Sequence, residues 1–438
     1  MTRNVLRSVL GPVLLWTGGV VLASGALAAE EGCASAACHA TLLRGKNVHA
    51  PTESCESCHE STATPHPQRG TKTFKLTQSP PELCSGCHEA FGKKSHVHPP
   101  VKDGMCTTCH DPHSSNEPKL LAQPQNELCQ ACHSDHVDFK VVHGPVSAGD
   151  CLACHVPHES DAAGLLQKEG EALCVGCHLD FAELLKKKVH PAMAGGCTSC
   201  HNPHGAAQPK LLPEAGAKLC FQCHDAIAEA VQKAAVAHAP VQSEAGCATC
   251  HSPHASDQAE LLLKPEKETC LGCHENILTK KMTTLHGPIR DGKCTPCHNP
   301  HGAAYAKLLL KEFPADAYAP YTDTEFALCF GCHKRDLLQY PDTSFATNFR
   351  DGERNLHYLH VNNKEKGRSC KLCHGIHGAD DPTLIAESVP FGKWSLPLKF
   401  VKTETGGGCA PGCHKPKYYD RETPGKKPEP PPAKPKAN

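Results

Sequence analysis

Thirty cysteines in 438 residues fall into fifteen close pairs, and in every pair the second cysteine is followed directly by histidine. Thirteen pairs are C-x-x-C: Cys55 and Cys58, Cys84 and Cys87, Cys106 and Cys109, Cys129 and Cys132, Cys151 and Cys154, Cys174 and Cys177, Cys197 and Cys200, Cys220 and Cys223, Cys247 and Cys250, Cys270 and Cys273, Cys294 and Cys297, Cys329 and Cys332, Cys370 and Cys373. The outer two are stretched, Cys33 and Cys38 in CASAACH and Cys409 and Cys413 in CAPGCH. The adjoining histidines are His39, His59, His88, His110, His133, His155, His178, His201, His224, His251, His274, His298, His333, His374 and His414. Little else is available to fold around. Aromatic residues are 5% of the chain, and 35 Gly and 37 Pro interrupt long regular elements. Cohesion must come from crosslinks, metals or a large apolar cofactor.

Three chemistries use paired cysteines. A disulfide framework gives no reason for the histidine. Zinc ribbons use C-x-x-C but do not demand histidine after every second cysteine. With 32 His in the chain, only about one cysteine in fourteen would precede histidine by chance. C-x-x-C-H is the attachment signature of haem c. Two thiols add to the two vinyl groups, and the adjacent imidazole is set under the iron as proximal ligand. The pattern therefore predicts about 15 covalent haems, the stretched pairs only lengthening the loop between the two thioethers.

The remaining histidines fall into a repeat of about 45 to 50 residues. Each unit runs LCxxCH, then an arm ending in histidine, then GxCxxCHxPH and a KLL-like apolar end; residues 269–310 show it in full. The arms supply His49, His98, His143, His190, His238, His286 and His360. The positions after each second motif supply His66, His113, His158, His204, His254, His301 and His377. These are the candidate distal ligands. His96, His136 and His357 are left over, and His357 is the favoured extra ligand because it lies in the irregular C-terminal region.

Chain reach restricts some of these ligands. In CTSCHNPHG, His204 follows His201 by three residues, at most ~10 Å of chain. The two axial imidazoles of a haem approach from opposite faces, and the Asn-Pro between these histidines restricts the backbone. His204 should therefore serve a haem other than the one on Cys197 and Cys200. For the arms the choice stays open. Residues 180–190 and 225–238 read as short amphipathic helices, and a ten-residue helix of ~15 Å reaches its own haem or a neighbour.

The N-terminus carries Arg3 and Arg7, an apolar stretch and the small-residue site Ala26-Leu27-Ala28, the pattern of a secretory signal peptide. No later segment approaches the ~20 apolar residues of a spanning helix. The formal charge is −1, but two propionates on each of fifteen haems would add about −30. Nothing resembles a nucleic-acid patch. The tail 421–438 is rich in Pro and Lys and reads as disordered.

The doubled C-x-x-C-H unit, CxxCH…HxP…CxxCHxPHG, resembles the doubled-motif multihaem c-type cytochromes of metal-respiring bacteria and is similar to periplasmic electron-conduit cytochromes. The resemblance covers roughly residues 33–415. It implies multistep electron transfer, bis-His haems and regular structure that is entirely helical. The expected fold is mostly irregular with short α-helices, an elongated multihaem cytochrome c of tandem two-haem units whose haems form the core. The expected organisation is a signal peptide at 1–28, tandem units over 29–310, diverged units with the last three haems over 311–420, and the tail. The function expected is an electron carrier in anaerobic or extracellular respiration, not an enzyme. The rival is a multihaem reductase of the nitrite or hydroxylamine type with one open haem, against which no C-x-x-C-K occurs. Expected partners are a periplasmic or inner-membrane donor, an outer-membrane or extracellular acceptor, and an outer-membrane porin. The expected location is the periplasm, with an outer-membrane conduit or an extracellular role as the other placements.

Overall fold

A computed structural model describes residues 33–35 and 38–425. The signal peptide at 1–28 and most of the 421–438 tail lie outside the described residues. Two compact units are formed. One holds the chain up to Cys132 with Pro157–Asp161, the other His133–Val156 and the chain from Ala162 onward.

Most of the backbone is irregular, and the helices are short. The longest is Asp225–Lys233, nine residues. The arm over 180–190 is helical only from Leu179 to Leu184, because the chain then turns to bring His190 into a ladder. No helix among the described residues is long and apolar enough to cross a membrane. The regular structure is not entirely helical, which corrects the expectation from resemblance: small antiparallel sheets join segments far apart in sequence.

Four of the eight sheets among the described residues have one recurring origin. A β-branched or aliphatic residue lies at or just before the one preceding each arm histidine, and the residues after each second motif's trailing histidine are small except Glu159. Such residues suit a close two-residue ladder. Asn47–Val48 pairs with Ser114–Ser115, and His96–Val97 with Glu159–Ser160. In the second unit Val141–Val142 pairs with Gly205–Ala206 and Thr284–Leu285 with Gly378–Ala379. Single bridges Val189 to Ala255 and Val236 to Ala303 continue the series. Small size is required here: a Cβ on Gly378 would lie 2.8 Å from the Thr284 carbonyl oxygen.

The KLL-like ends form tight turns with two successive residues in the left-handed region. Lys119 and Leu120, Lys210 and Leu211, Glu260 and Leu261, and Lys307 and Leu308 have φ between 51° and 60°. Gly164 and Leu165 repeat the geometry with glycine at the first position. For non-glycine residues this costs roughly 1–2 kcal/mol each. Main-chain bonds offset it at about 1 kcal/mol apiece, among them Asn202 N–H to the Leu211 carbonyl and Gln208 N–H to the Leu212 carbonyl.

Buried large apolar side chains are confined to the C-terminal region. Phe326, Phe330, Leu338 and Val361 form one cluster, and Leu372, Val389 and Leu398 a second. Through the repeats the buried apolar residues are alanines: Ala162, Ala206, Ala255 and Ala303. The C-terminal region also carries a three-stranded sheet, Val401–Lys402, Gly406–Cys409 and Lys417–Asp420, which ends one strand on a motif cysteine. Asn355 caps the Leu356–Val361 helix, its Oδ1 accepting from the His357 and Tyr358 N–H groups.

Candidate haem sites

No disulfide forms among the described cysteines, and no three His, Cys, Asp or Glu side chains among the described residues converge as a bare metal ion would need. Instead most motifs fold as a short 3-10 or helical turn, and twelve of the motif histidines face a second histidine from elsewhere in the chain.

In the first unit His39 faces His66, His49 faces His88, His59 faces His113 and His110 faces His158, with ring centres 5.8–6.1 Å apart. In the second, His143 faces His178, His155 faces His204, His190 faces His224 and His201 faces His254. His238 and His274, His251 and His301, His286 and His333, and His298 and His377 complete the series, 6.1–6.3 Å apart. A metal–imidazole bond of ~2 Å on each side, plus ~1 Å from nitrogen to ring centre, requires a spacing of ~6 Å. The residues therefore fit an iron held between two imidazoles beside twelve of the cysteine pairs.

His204 lies 6.0 Å from His155, across from the second motif of the preceding repeat. The motif that precedes it, on Cys197 and Cys200, has His254 opposite. The arms reach forward, so His143 in one unit faces His178 in the next. Neighbouring units thus exchange histidines in both directions. The exchange is held by the ladder: His143 N–H donates to the His204 carbonyl at 3.0 Å, and its Nδ1 lies 2.9 Å from the Pro203 carbonyl. His49 on Pro112 and His238 on Pro300 repeat the second contact. His98 and His190 enter the ladder by the first, on the His158 and His254 carbonyls. Nδ1 so engaged leaves Nε2 turned toward the facing ring, the usual state of a ligating imidazole.

The last two motifs depart from this rule. His357 and His360 lie one turn apart on the Leu356–Val361 helix. His357 interacts with His374 and His360 with His414. His357 Nδ1 is 2.9 Å from Thr347 Oγ1. His96 is exposed in its ladder. His136 stacks on His204 at 4.9 Å and lies 5.7 Å from His133. Phe91 and Phe181 take the same place in their repeats, against His158 and His254.

Burial lowers the pKa of His158, His190, His204, His254, His286, His301 and His377, helped by neighbouring imidazoles. In His357 burial lowers it to about 4. Neutral imidazoles are the form that binds metal. Motif cysteines also meet one another. Cys174 contacts Cys197, Cys220 contacts Cys247, and burial with Cys294 beside it pushes the Cys270 thiol up to about 12. In the second unit the motifs from Cys174 to His414 line one cavity of about 5420 Å³. An ordinary ligand cleft is ~300–1,000 Å³, so the space suits many large groups in contact and not one small molecule.

A family model for the doubled CXXCH motif matches residues 49–93, 98–138, 143–183, 190–229, 238–278 and 286–337, together more than half of the chain. The chain belongs to this doubled CXXCH family. It is a multihaem c-type cytochrome, and the six matches carry roughly 12 covalent haem c sites. A comparison with curated proteins finds no match. Each doubled CXXCH match opens on an arm histidine and closes just beyond the next motif, a different frame from the one that starts each unit at LCxxCH. In the family frame His49 and His88, or His143 and His178, belong to one module. Two features escaped the sequence reading: the carbonyls that hold Nδ1, and the aliphatic residue beside each arm histidine that signals the ladder.

Proposed function

We propose that the chain is an electron carrier, moving electrons in many short steps through about 15 covalently bound, mostly bis-His haems. The observation that supports this most is the repeated facing of two imidazoles ~6 Å apart beside a cysteine pair. Haem c supplies reversible one-electron chemistry when bound. The chain's own residues do the rest. The cysteines anchor, the motif histidines hold one face, and the arm and Pro-His histidines hold the other. His66, His113, His158, His204, His254, His301 and His377 serve motifs earlier in the chain; His49, His143, His190, His238 and His286 serve later ones. His98 holds the corresponding arm position, His357 goes to His374 and His360 to His414. The cysteine contacts between motifs keep successive haems within transfer distance.

The N-terminal pattern supports export to the periplasm, with a membrane or periplasmic donor and an outer-membrane or extracellular acceptor, seated in a porin or free. The test is a haem count by mass together with low-temperature EPR of the oxidised holo-protein. About 15 haems and no stoichiometric high-spin signal are expected. One fully high-spin haem would overturn the carrier in favour of a reductase with an open iron. Cell fractionation tests the location.

A further inference from the structure

The five left-handed turns have a property that packing does not require. In each, the carbonyl of the first left-handed residue lies against the ring of the motif histidine nine positions earlier. His110 Nδ1 is 2.9 Å from the Lys119 oxygen, His155 Nδ1 2.9 Å from that of Gly164 and His201 Nδ1 2.8 Å from that of Lys210. His251 on Glu260, at 2.7 Å, and His298 on Lys307, at 2.9 Å, are the same. The side chain at this position is Lys, Gly, Lys, Glu and Lys, so the main-chain carbonyl is what persists. The left-handed φ turns that carbonyl inward, although four of the five residues are not glycine. Strain retained at a site is a sign of use.

We propose that this turn is a tuning device for the haem on each of these five second motifs. Its carbonyl accepts the Nδ1 proton, fixes the tautomer and plane of the proximal imidazole, and makes it a stronger donor to the iron. A stronger donor favours the oxidised state, so each hooked haem has a lower potential than the same haem without the bond. The residues at 119, 164, 210, 260 and 307 are positioning residues that act through the histidine. His59 supplies an internal contrast. Its loop is replaced by the His59–Ser61 and Phe74–Leu76 hairpin, and no carbonyl among the described residues holds its ring.

The inference rests on the haem reading above, and its test separates the two. Two full-length holo-proteins are compared with the native one: Lys119, Lys210 and Lys307 all changed to proline, and all three changed to glycine. Proline cannot adopt φ near +60°, whereas glycine adopts it freely. Haem count by mass should stay at the native value in both. In an α-band redox titration, about a fifth of the amplitude should move to more positive potential in the proline variant. The glycine variant should overlay the native curve. An unmoved titration in a fully loaded proline variant, or an equal shift with glycine, refutes the proposal. If the proline variant does not load haem, the native protein labelled with ¹⁵N-histidine still decides. The Nδ1 protons of His110, His155, His201, His251 and His298 should exchange with solvent more slowly than that of His59, and equal exchange refutes the hook. A native protein with few haems would instead refute the haem reading and leave the carbonyl contacts standing.

Discussion

Changing His204 to alanine separates a ligand that serves its own motif from one that serves another. The His204 ring centre is 6.0 Å from that of His155, at an interplanar angle of 14°. The motif three residues upstream, His201, has His254 at 5.9 Å. Alanine should therefore leave the Cys197–Cys200 haem unchanged and open the haem on Cys151 and Cys154. One haem in fifteen, about 7% of the total, should become high-spin. His136 stacks 4.9 Å from His204, so the variant is best made with His136→Phe to remove a substitute. The cost in stability should be modest, about 1–2 kcal/mol for a half-buried side chain. The bonds that hold His143 come from the main-chain carbonyls of residues 203 and 204 and survive the change. EPR counts the high-spin haem, and added imidazole should quench it. The signal should vanish when Cys151 and Cys154 are also replaced, and persist when Cys197 and Cys200 are. The opposite pattern would refute the exchange of histidines between units.

Further outcomes follow from other sites. His357→Ala should open the haem on Cys370 and Cys373, and because the side chain is partly buried it should cost about 1–3 kcal/mol in denaturant titration. His136→Phe alone should leave spin states and haem count unchanged, since Phe91 and Phe181 fill that place elsewhere; loss of a low-spin haem would give His136 a ligand's role. The Asp420 carboxyl is held down at about 2 by bonds from the Thr405 hydroxyl and the Thr423 and Glu422 N–H groups. Its stabilisation is complete above the ordinary carboxyl pKa of ~3.9 and is lost as pH falls through about 2. Asp420→Asn should melt earlier than the native protein at pH 7, and the gap should close toward pH 2. Expressed without haem attachment, the chain should keep amide protection only around Phe326, Phe330, Leu372 and Leu398, as hydrogen exchange would report.

The cysteine pattern made the cofactor legible, because the chemistry of attachment fixes residue types in sequence. The reach argument for His204 was legible too, since three residues bound the distance. The arms were not. Whether His143 serves its own unit or the next depends on the Val141–Val142 ladder with Gly205–Ala206, and a two-residue pairing leaves almost no periodicity to read. The strands after residue 387 escaped for another reason: they are short, rich in Gly and Pro, and lie where the repeat has lapsed. Three of the left-handed turns carry Lys-Leu, a pair that ordinary propensity would never assign to positive φ.

The Pro-His pair after most second motifs works like a stitch in knitting. Its side chain reaches back to an earlier motif, and its carbonyls catch the arm histidine that lies earlier still. A fabric made this way can change length without coming undone. Removing residues 190–237 would take out His190, His201, His204 and His224 together, and would offer His254 to His155 while Val189 came to precede His238. Every remaining loop would again be caught. Chain length, and with it the number of haem sites, is therefore adjustable in steps of two, and only the odd ligands His66 and His357 at the two selvedges need special provision.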